Sequence, residues 1–374
     1  MPYSKNDAQL GTRTNMGISL DARQSTELGL VRAFVNNQVS YRIGNEASGS
    51  ARNEGLAFNS NNEVAGAVKS IQHNVVGMLQ VGGLTVGHMD SMFRVLSPST
   101  NIGLDGWHQP DLTNTVGYTF SLGNGLTITG ALEDSTITNR QGVWSSVAGT
   151  TYGANRLPDY VGNISLAQSW GTIALSGAVH SINTSDRVIG TEYGYAAQLG
   201  TKINLPMIAK GDYLFLNGIY SSGANAFSLR DTAGDRASQN TNSFGLGRVG
   251  VSMNDMVINN ATGATYKAQV YGGAAEFGHY FTPTVMAHLG ASYVKLDWAT
   301  AAQALNTAQI NPASMSRVNF GVQWTPIKNL RIWPDIEYSR VNVKVANNLG
   351  NAAEGAAKKS ENAFTARLQI RRDF

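Results

Sequence analysis

Apolar and polar residues alternate with a period of two along most of this chain, the period at which successive side chains of a β-strand change face. The clearest stretch runs from Thr115 to Glu133. Val116, Tyr118, Phe120 and Leu122 alternate with Gly117, Thr119 and Ser121, and Asn124-Gly125 follows. That dipeptide adopts φ > 0 easily and suits a two-residue hairpin turn. Leu126, Ile128, Gly130 and Leu132 then alternate with Thr127, Thr129 and Ala131. The pattern recurs in Met16, Ile18, Leu20 and Ala22, and in Ile164 and Leu166 before Trp170-Gly171, with Ile173, Leu175 and Gly177 after it. It returns in Val318, Phe320, Val322 and Trp324, and in Phe364, Ala366, Leu368, Ile370 and Phe374 at the C-terminus.

This periodicity predicts about fifteen strands, near 12–23, 26–43, 66–79, 82–89, 113–123, 126–134, 159–169, 172–182, 191–204, 211–221, 265–280, 284–297, 314–325, 329–345 and 362–374. A soluble sandwich or solenoid also alternates, but two features favour a barrel. Tight turns near Asn124, Gly171, Pro283 and Pro326 alternate with long polar excursions near 44–63, 135–158, 222–264 and 346–361. Short turns at one rim and long loops at the other mark a transmembrane β-barrel. Aromatics at strand ends (Tyr118, Phe120, Trp144, Trp170, Tyr193, Tyr213, Tyr280, Phe281, Trp298, Trp324, Tyr338) fit interfacial girdles. The expected fold is all-β: a single transmembrane antiparallel β-barrel over residues 1–374. Single-chain bacterial barrels have an even strand number, which points to sixteen. The missing strand belongs at the N-terminus: residues 1–10 supply part of it, or the chain begins after it. Residues 240–260 could also conceal a strand.

Composition agrees. Charged residues make up 14%, against about 25% in an average soluble domain. No apolar run approaches the ~20 residues that a spanning helix needs. The mean hydropathy of -0.17 suits a wall with one apolar and one polar face. A net charge of +3 without a basic block gives no reason to expect nucleic acid. The start, Met-Pro-Tyr-Ser-Lys-Asn-Asp, lacks the pattern of a signal peptide, so a mature, truncated or re-engineered form is expected. With no cysteine, no thiolate metal site can form. His73, His88, His108, His180, His279 and His288 show no metal-ligand spacing, and no G-x-S-x-G elbow places a nucleophile. "GLGRVG" at 245–250 lacks the Lys-Ser/Thr of a phosphate loop. No catalytic residue, cofactor or metal is therefore expected, and an outer-membrane enzyme is disfavoured.

Several segments resemble the general porins of alphaproteobacteria. "PDYVGNISLAQSWGTIALSGAVH" (158–180) and "INLPMIAKGDYLFLNGIYSSGA" (203–224) are the most specific. "GISLDARQSTELGLVRAF" (17–34), "LTVGHMDSMF" (84–93), "GHYFTPTVMAHLGASYVKLDW" (278–298) and the terminal "ARLQIRRDF" (366–374) are similar to the family in the same order. His88 stands where the family usually has Arg after Gly87, and the family's strand upstream of Gly11 is not evident. The resemblance implies a sixteen-stranded homotrimer in the lipopolysaccharide-bearing outer membrane of a Gram-negative cell. It would be a water-filled channel for passive diffusion of small hydrophilic solutes and ions.

It also implies a constriction loop folded into the lumen, about 89–112 here, carrying Asp90, Asp105 and Asp111. Basic residues turned inward by strand parity would face it: Arg13, Arg23, Arg32, Arg317 and Arg367. Acids opposite bases make a transverse field that filters solutes by charge and dipole. Each residue also has a plainer reading, an arginine pairing with a neighbouring carboxylate or an aspartate capping a turn. Small residues on early strands (Gly17, Gly29, Ala33) would permit close packing in a trimer. Two alternatives stand beside the diffusion porin. One is a channel selective for sugars or organic acids, with Phe93 and Trp107 as stacking surfaces. The other is a structural barrel with a plugged lumen.

Overall fold

The computed structural model describes residues 11–44, 69–96, 112–134, 142–145, 149–150, 157–184, 190–229, 243–246, 249–305, 310–347 and 357–374. The chain opens with β1 (Gly11–Thr26), β2 (Gly29–Gly44), β3 (Lys69–Val81), β4 (Leu84–Asp90), β5 (Leu112–Gly123) and β6 (Leu126–Glu133). Two short strands follow outside the main sheet, β7 (Val143–Ser145) and β8 (Gly149–Thr150). Next come β9 (Asp159–Gln168), β10 (Gly171–Ile182), β11 (Glu192–Asn204) and β12 (Tyr213–Ser222). Four more short strands stand apart: β13 (Ser243–Leu246), β14 (Val249–Ser252), β15 (Met256–Asn259) and β16 (Ala264–Lys267). The chain finishes with β17 (Gln269–Thr282), β18 (Val285–Asp297), β19 (Ala313–Ile327), β20 (Leu330–Asn347) and β21 (Lys358–Arg372).

Fifteen of these form one meandering sheet, each paired with the next in chain order, and β1 and β21 are its edges among the described residues. All fifteen coincide with the alternating segments of the sequence. The remaining short strands pair as β13–β14 and as a four-stranded sheet in the order β16-β15-β7-β8. The described residues of 240–260 thus hold strands, but not strands of the wall. Residues 1–10 lie outside the described residues.

Side-chain burial is reversed relative to a soluble protein. Ile18 on β1 is 72% exposed and Ile370 on β21 is 65% exposed, while Glu133, Asp159, His180, His288 and Asp335 are buried. Apolar side chains clothe the outer face, as a membrane-spanning barrel requires, and the buried ionisable ones lie on the inner. No described helix is long and apolar enough to cross a membrane. A concavity of about 760 Å³ lies on the outer face, over Gly130, Gly162 and Gly177 beside Tyr118, Tyr160 and Tyr195, so it is not the conduit.

Connections alternate in length. The turn at Asn124-Gly125 has both residues at positive φ (50° and 74°), which the dipeptide tolerates. The β19–β20 turn falls at 328–329, where Asn329 takes φ 64°, rather than at Pro326. Pro326 lies inside β19 beyond Trp324, where the register shifts and a missing N–H costs little. Of the proposed girdle aromatics, Trp170, Phe281, Trp324 and Tyr338 are exposed on the outer face, whereas Tyr213 and Trp298 are buried. Tyr213 turns inward, donates to Glu276 (2.6 Å) and takes the Lys202 ammonium on its ring, 4.4 Å from the centroid. Tyr280 packs partly buried against the interior. At the short-turn rim, His279 edges onto Phe281 and meets Asp212 at 2.6 Å.

Candidate functional site: the lumen and its inward loops

The chain leaving β4 turns into the lumen. The Glu133 carboxylate on β6 accepts the Ser91 hydroxyl (2.7 Å) and the Met92 backbone N–H (2.6 Å). Ser176 on β10 donates to the Phe93 carbonyl (2.6 Å). Two inner-face glycines make room for the passing chain: a Cβ at Gly117 would collide with Met92, and one at Gly200 would come 2.8 Å from Val95. Residues 91–96 therefore cross the inner wall from β6 past β10 to β11. This is the start of the constriction loop expected over 89–112, and its described portion folds inward as the resemblance implied.

A second intrusion was not legible in the sequence. After β12 the chain makes a single 3-10 turn over Asn225–Phe227, and Phe227 meets Phe93 edge-on with centroids 4.9 Å apart. Strands β13 and β14 pack on β19, β20 and β21. Strand β15 pairs in parallel with β7, so the connections after β6 and after β12 share one small sheet. Phe93, Phe227, Phe244, Val251, Trp298 and Ile310 join inner-wall residues such as Phe215, Val294, Met315 and Val341 in one buried apolar cluster. Connections after β4, β12 and β18 thus meet inside the wall. Phe93 is fully buried there, so it offers no stacking face to a solute. Trp107 lies outside the described residues.

The seam between this lobe and the wall holds a buried ionisable cluster. His180 on β10 lies 2.7 Å (Nδ1) from Asp159 on β9 and 3.9 Å (Nε2) from Asp255 of the lobe. Asp255 accepts the Asn225 N–H (2.6 Å), while its own N–H donates to the Gly142 carbonyl (2.6 Å). Burial pushes its carboxyl up to about 6, against the opposing pull of His180.

Of the predicted acids, Asp90 ends β4 on the face of Leu84 and Val86 and pairs with Arg94 at 3.1 Å. Asp105 and Asp111 lie outside the described residues. His88 shares the face of Asp90 and meets Asn114 at 3.0 Å, so its exchange for Arg bears on the outer wall.

All five predicted bases turn inward by parity. Arg23 and Arg32 face each other across β1 and β2 and share Asp21, at 2.6 and 2.8 Å. The Arg32 guanidinium also lies over Phe34 (5.1 Å). Arg13 lies on the same face of β1. Arg317 reaches Glu337 at 3.5 Å and is largely covered, so it braces the wall. Arg367 stands opposite Asp335, which meets His288 at 2.9 Å across Gly321. Asp21, Glu133 and Asp255 were missed. Parity on β1 and β6 could have found the first two, each an acid on an otherwise small or polar inner face. Of the small residues on early strands, Ala33 lies outward, Gly17 inward, and Gly29 serves the turn at φ 96°.

A family model for the porin subfamily matches residues 3–366. The chain belongs to the porin subfamily. It is an outer-membrane channel for passive diffusion of small solutes. Among solved structures, the outer-membrane channel DcaP of Acinetobacter baumannii is similar at 14% identity and a TM-score of 0.57, over 97% of this chain and 95% of that one. That likeness shows the fold, a β-barrel. An OmpT loop-deletion mutant of Vibrio cholerae (8% identity, TM-score 0.47, 98% and 99% covered) is also similar. So is an anion-selective porin from Comamonas acidovorans (10% identity, TM-score 0.45, 98% and 100% covered). No curated protein sequence matches the chain.

Proposed function

We propose that the conduit of this porin runs between the strip 91–96 and a wall bearing Arg13, Arg23, Arg32 and Arg367. The observation that carries the reading is the anchoring of that strip by Glu133 and Ser176. Strands β6, β10 and β11 stand sixth, eighth and ninth of fifteen in the sheet order. In a closed barrel the edges β1 and β21 come together, which gathers these arginines on the wall opposite the strip. Asp21 offsets only one of the two arginines it touches. Arg317 belongs to the wall's support, and Asp105 and Asp111 would supply the loop's acidic side, whereas Asp90 stands on the outer face of β4.

The whole chain acts as one barrel domain. We assign it to a homotrimer among outer-membrane lipids and lipopolysaccharide, with the outer face around Ala33 turned to a neighbour. Single-channel recording in a KCl gradient tests the reading. Large steps arriving in threes support it, and a silent bilayer from folded protein overturns it. The apolar cluster inside the wall favours a second reading, a lumen narrow enough to select solutes by size. Liposome swelling with sugars of increasing size separates the two, since a general pore admits them in a gradual series and a selective one stops sharply.

A further inference from the structure

We infer that the lobe formed by residues 223–229 and 249–268 is a latch that docks on the inner wall in acid and releases as pH rises. Its contact is His180 with the carboxyls of Asp159 and Asp255. This rests on the channel reading above and adds a regulated state to it.

The three groups come from two bodies. His180 and Asp159 belong to adjacent wall strands and stay together whether or not the lobe is down. Asp255 belongs to the lobe, held there by the Asn225 N–H and by its own carbonyl accepting the Ala268 N–H. Its N–H ties it to the Gly142 carbonyl of the connection after β6, which moves with the lobe through the β7–β15 pairing. Asp255 is 2% exposed, so docking carries its carboxyl out of water into the seam. An apolar cluster of Val143, Ile182, Met256 and Ile258 lies at that seam, and Glu192 of β11 meets Lys267 of β16 across it at 3.0 Å.

The charge balance sets the sign. One imidazolium cannot neutralise two carboxylates in a seam closed to water, so the docked state favours protonation of Asp255. Its carboxyl is raised to about 6 when docked, and in water it returns to about 4. Docking is therefore at full strength below the ordinary aspartate value and weakens as pH rises through about 6. Two units correspond to about a hundredfold change in the docking equilibrium.

Single-channel conductance in KCl between pH 4.5 and 8 tests the latch. The expected result is a smaller conductance in acid and a larger one at pH 8, the change being complete above the docked value of about 6. D255N, which keeps an acceptor for the Asn225 N–H but cannot titrate, should stay in the low state at both pH values. The chain has no cysteine, so E192C/K267C can be joined uniquely by a short reducible cross-linker. Cross-linking should abolish the pH step, and reduction should restore it. A step that survives cross-linking, or conduction that does not change with pH in the unaltered protein, overturns the latch while leaving the channel intact. Silence at every pH would overturn both.

Discussion

Glu133 ties the constriction strip to the wall, and its removal should free the strip without unfolding the barrel. Its carboxylate is fully buried and receives two donors, the Ser91 hydroxyl and the Met92 N–H. Hydrogen bonds to a charged acceptor contribute about 1.5–3 kcal/mol each, so the pair supplies about 3–6 kcal/mol. Removing the buried charge also relieves a desolvation cost, which offsets part of this loss. A net ~3 kcal/mol remains for Glu133→Ala, about two powers of ten in the equilibrium between docked and free strip. Glu133→Gln keeps Oε1 for the Met92 N–H, and its amide can donate to the Ser91 hydroxyl, so only about 1 kcal/mol is at risk. Conductance histograms, open-state noise and sugar exclusion in liposome swelling report the strip. E133A should be noisier and pass larger sugars, and E133Q should stay near the parent. If E133A matches the parent while folded, the strip is not held here. If E133Q is as disturbed as E133A, the charge matters and the anchoring does not.

Three further outcomes follow from the geometry. A Cβ at Gly321 would collide with the Asp335 carboxylate and the His288 ring, so G321A should destabilise by about 1–3 kcal/mol. Unheated electrophoresis would show the folded band lost at a lower temperature, with G218A, open to space around its Cβ, as the unaffected control. Arg32→Glu places an acid beside Asp21 on the conduit wall, so the reversal potential in a salt gradient should move toward cation preference. An unchanged potential would remove Arg32 from the conduit. Gly125→Ala puts a side chain at φ 74° and against the Ala167 carbonyl. It should cost at least ~1 kcal/mol and slow refolding of the β5–β6 hairpin from urea.

The wall was legible because each of its fifteen strands is long enough to show a period of two. The lobe was not, because β13 to β16 have four residues each and too few positions to display alternation. Their apolar residues, such as Val249, Val251 and Ile258, are buried inside the lumen, where a sequence reading of a barrel expects water. Tyr213 was misplaced for a related reason. It opens β12 as Tyr-Leu-Phe-Leu, apolar on both faces, and only the register shows that Tyr213 and Phe215 turn inward. The arginines were found because strand parity alone turns them inward, but sequence could not tell that Arg317 would be taken up by Glu337.

The depth to which the lobe enters follows from how the inner wall changes along its strands. Toward the long-loop rim its cross-strand rows are apolar: Val270, Leu296, Ala313 and Val343, then Val294, Met315 and Val341. One row deeper it turns polar with Ser292, Arg317 and Ser339, and then Glu276, Asn319 and Glu337. An apolar lobe gains by covering the first rows, at about 25 cal/mol per Å² buried. Going deeper, it would find carboxylates already covered and held, Glu276 by the Tyr213 hydroxyl and Glu337 by Ser339 and Arg317, and would have to break those contacts while gaining little apolar area. The boundary between the rows therefore acts as a stop. Val294→Asp moves that boundary one row toward the rim and should lift β14 from β20, raising conductance at every pH. An unchanged conductance in the folded variant would show that the lobe is positioned by its own sheet with β7, and not by the wall beneath it.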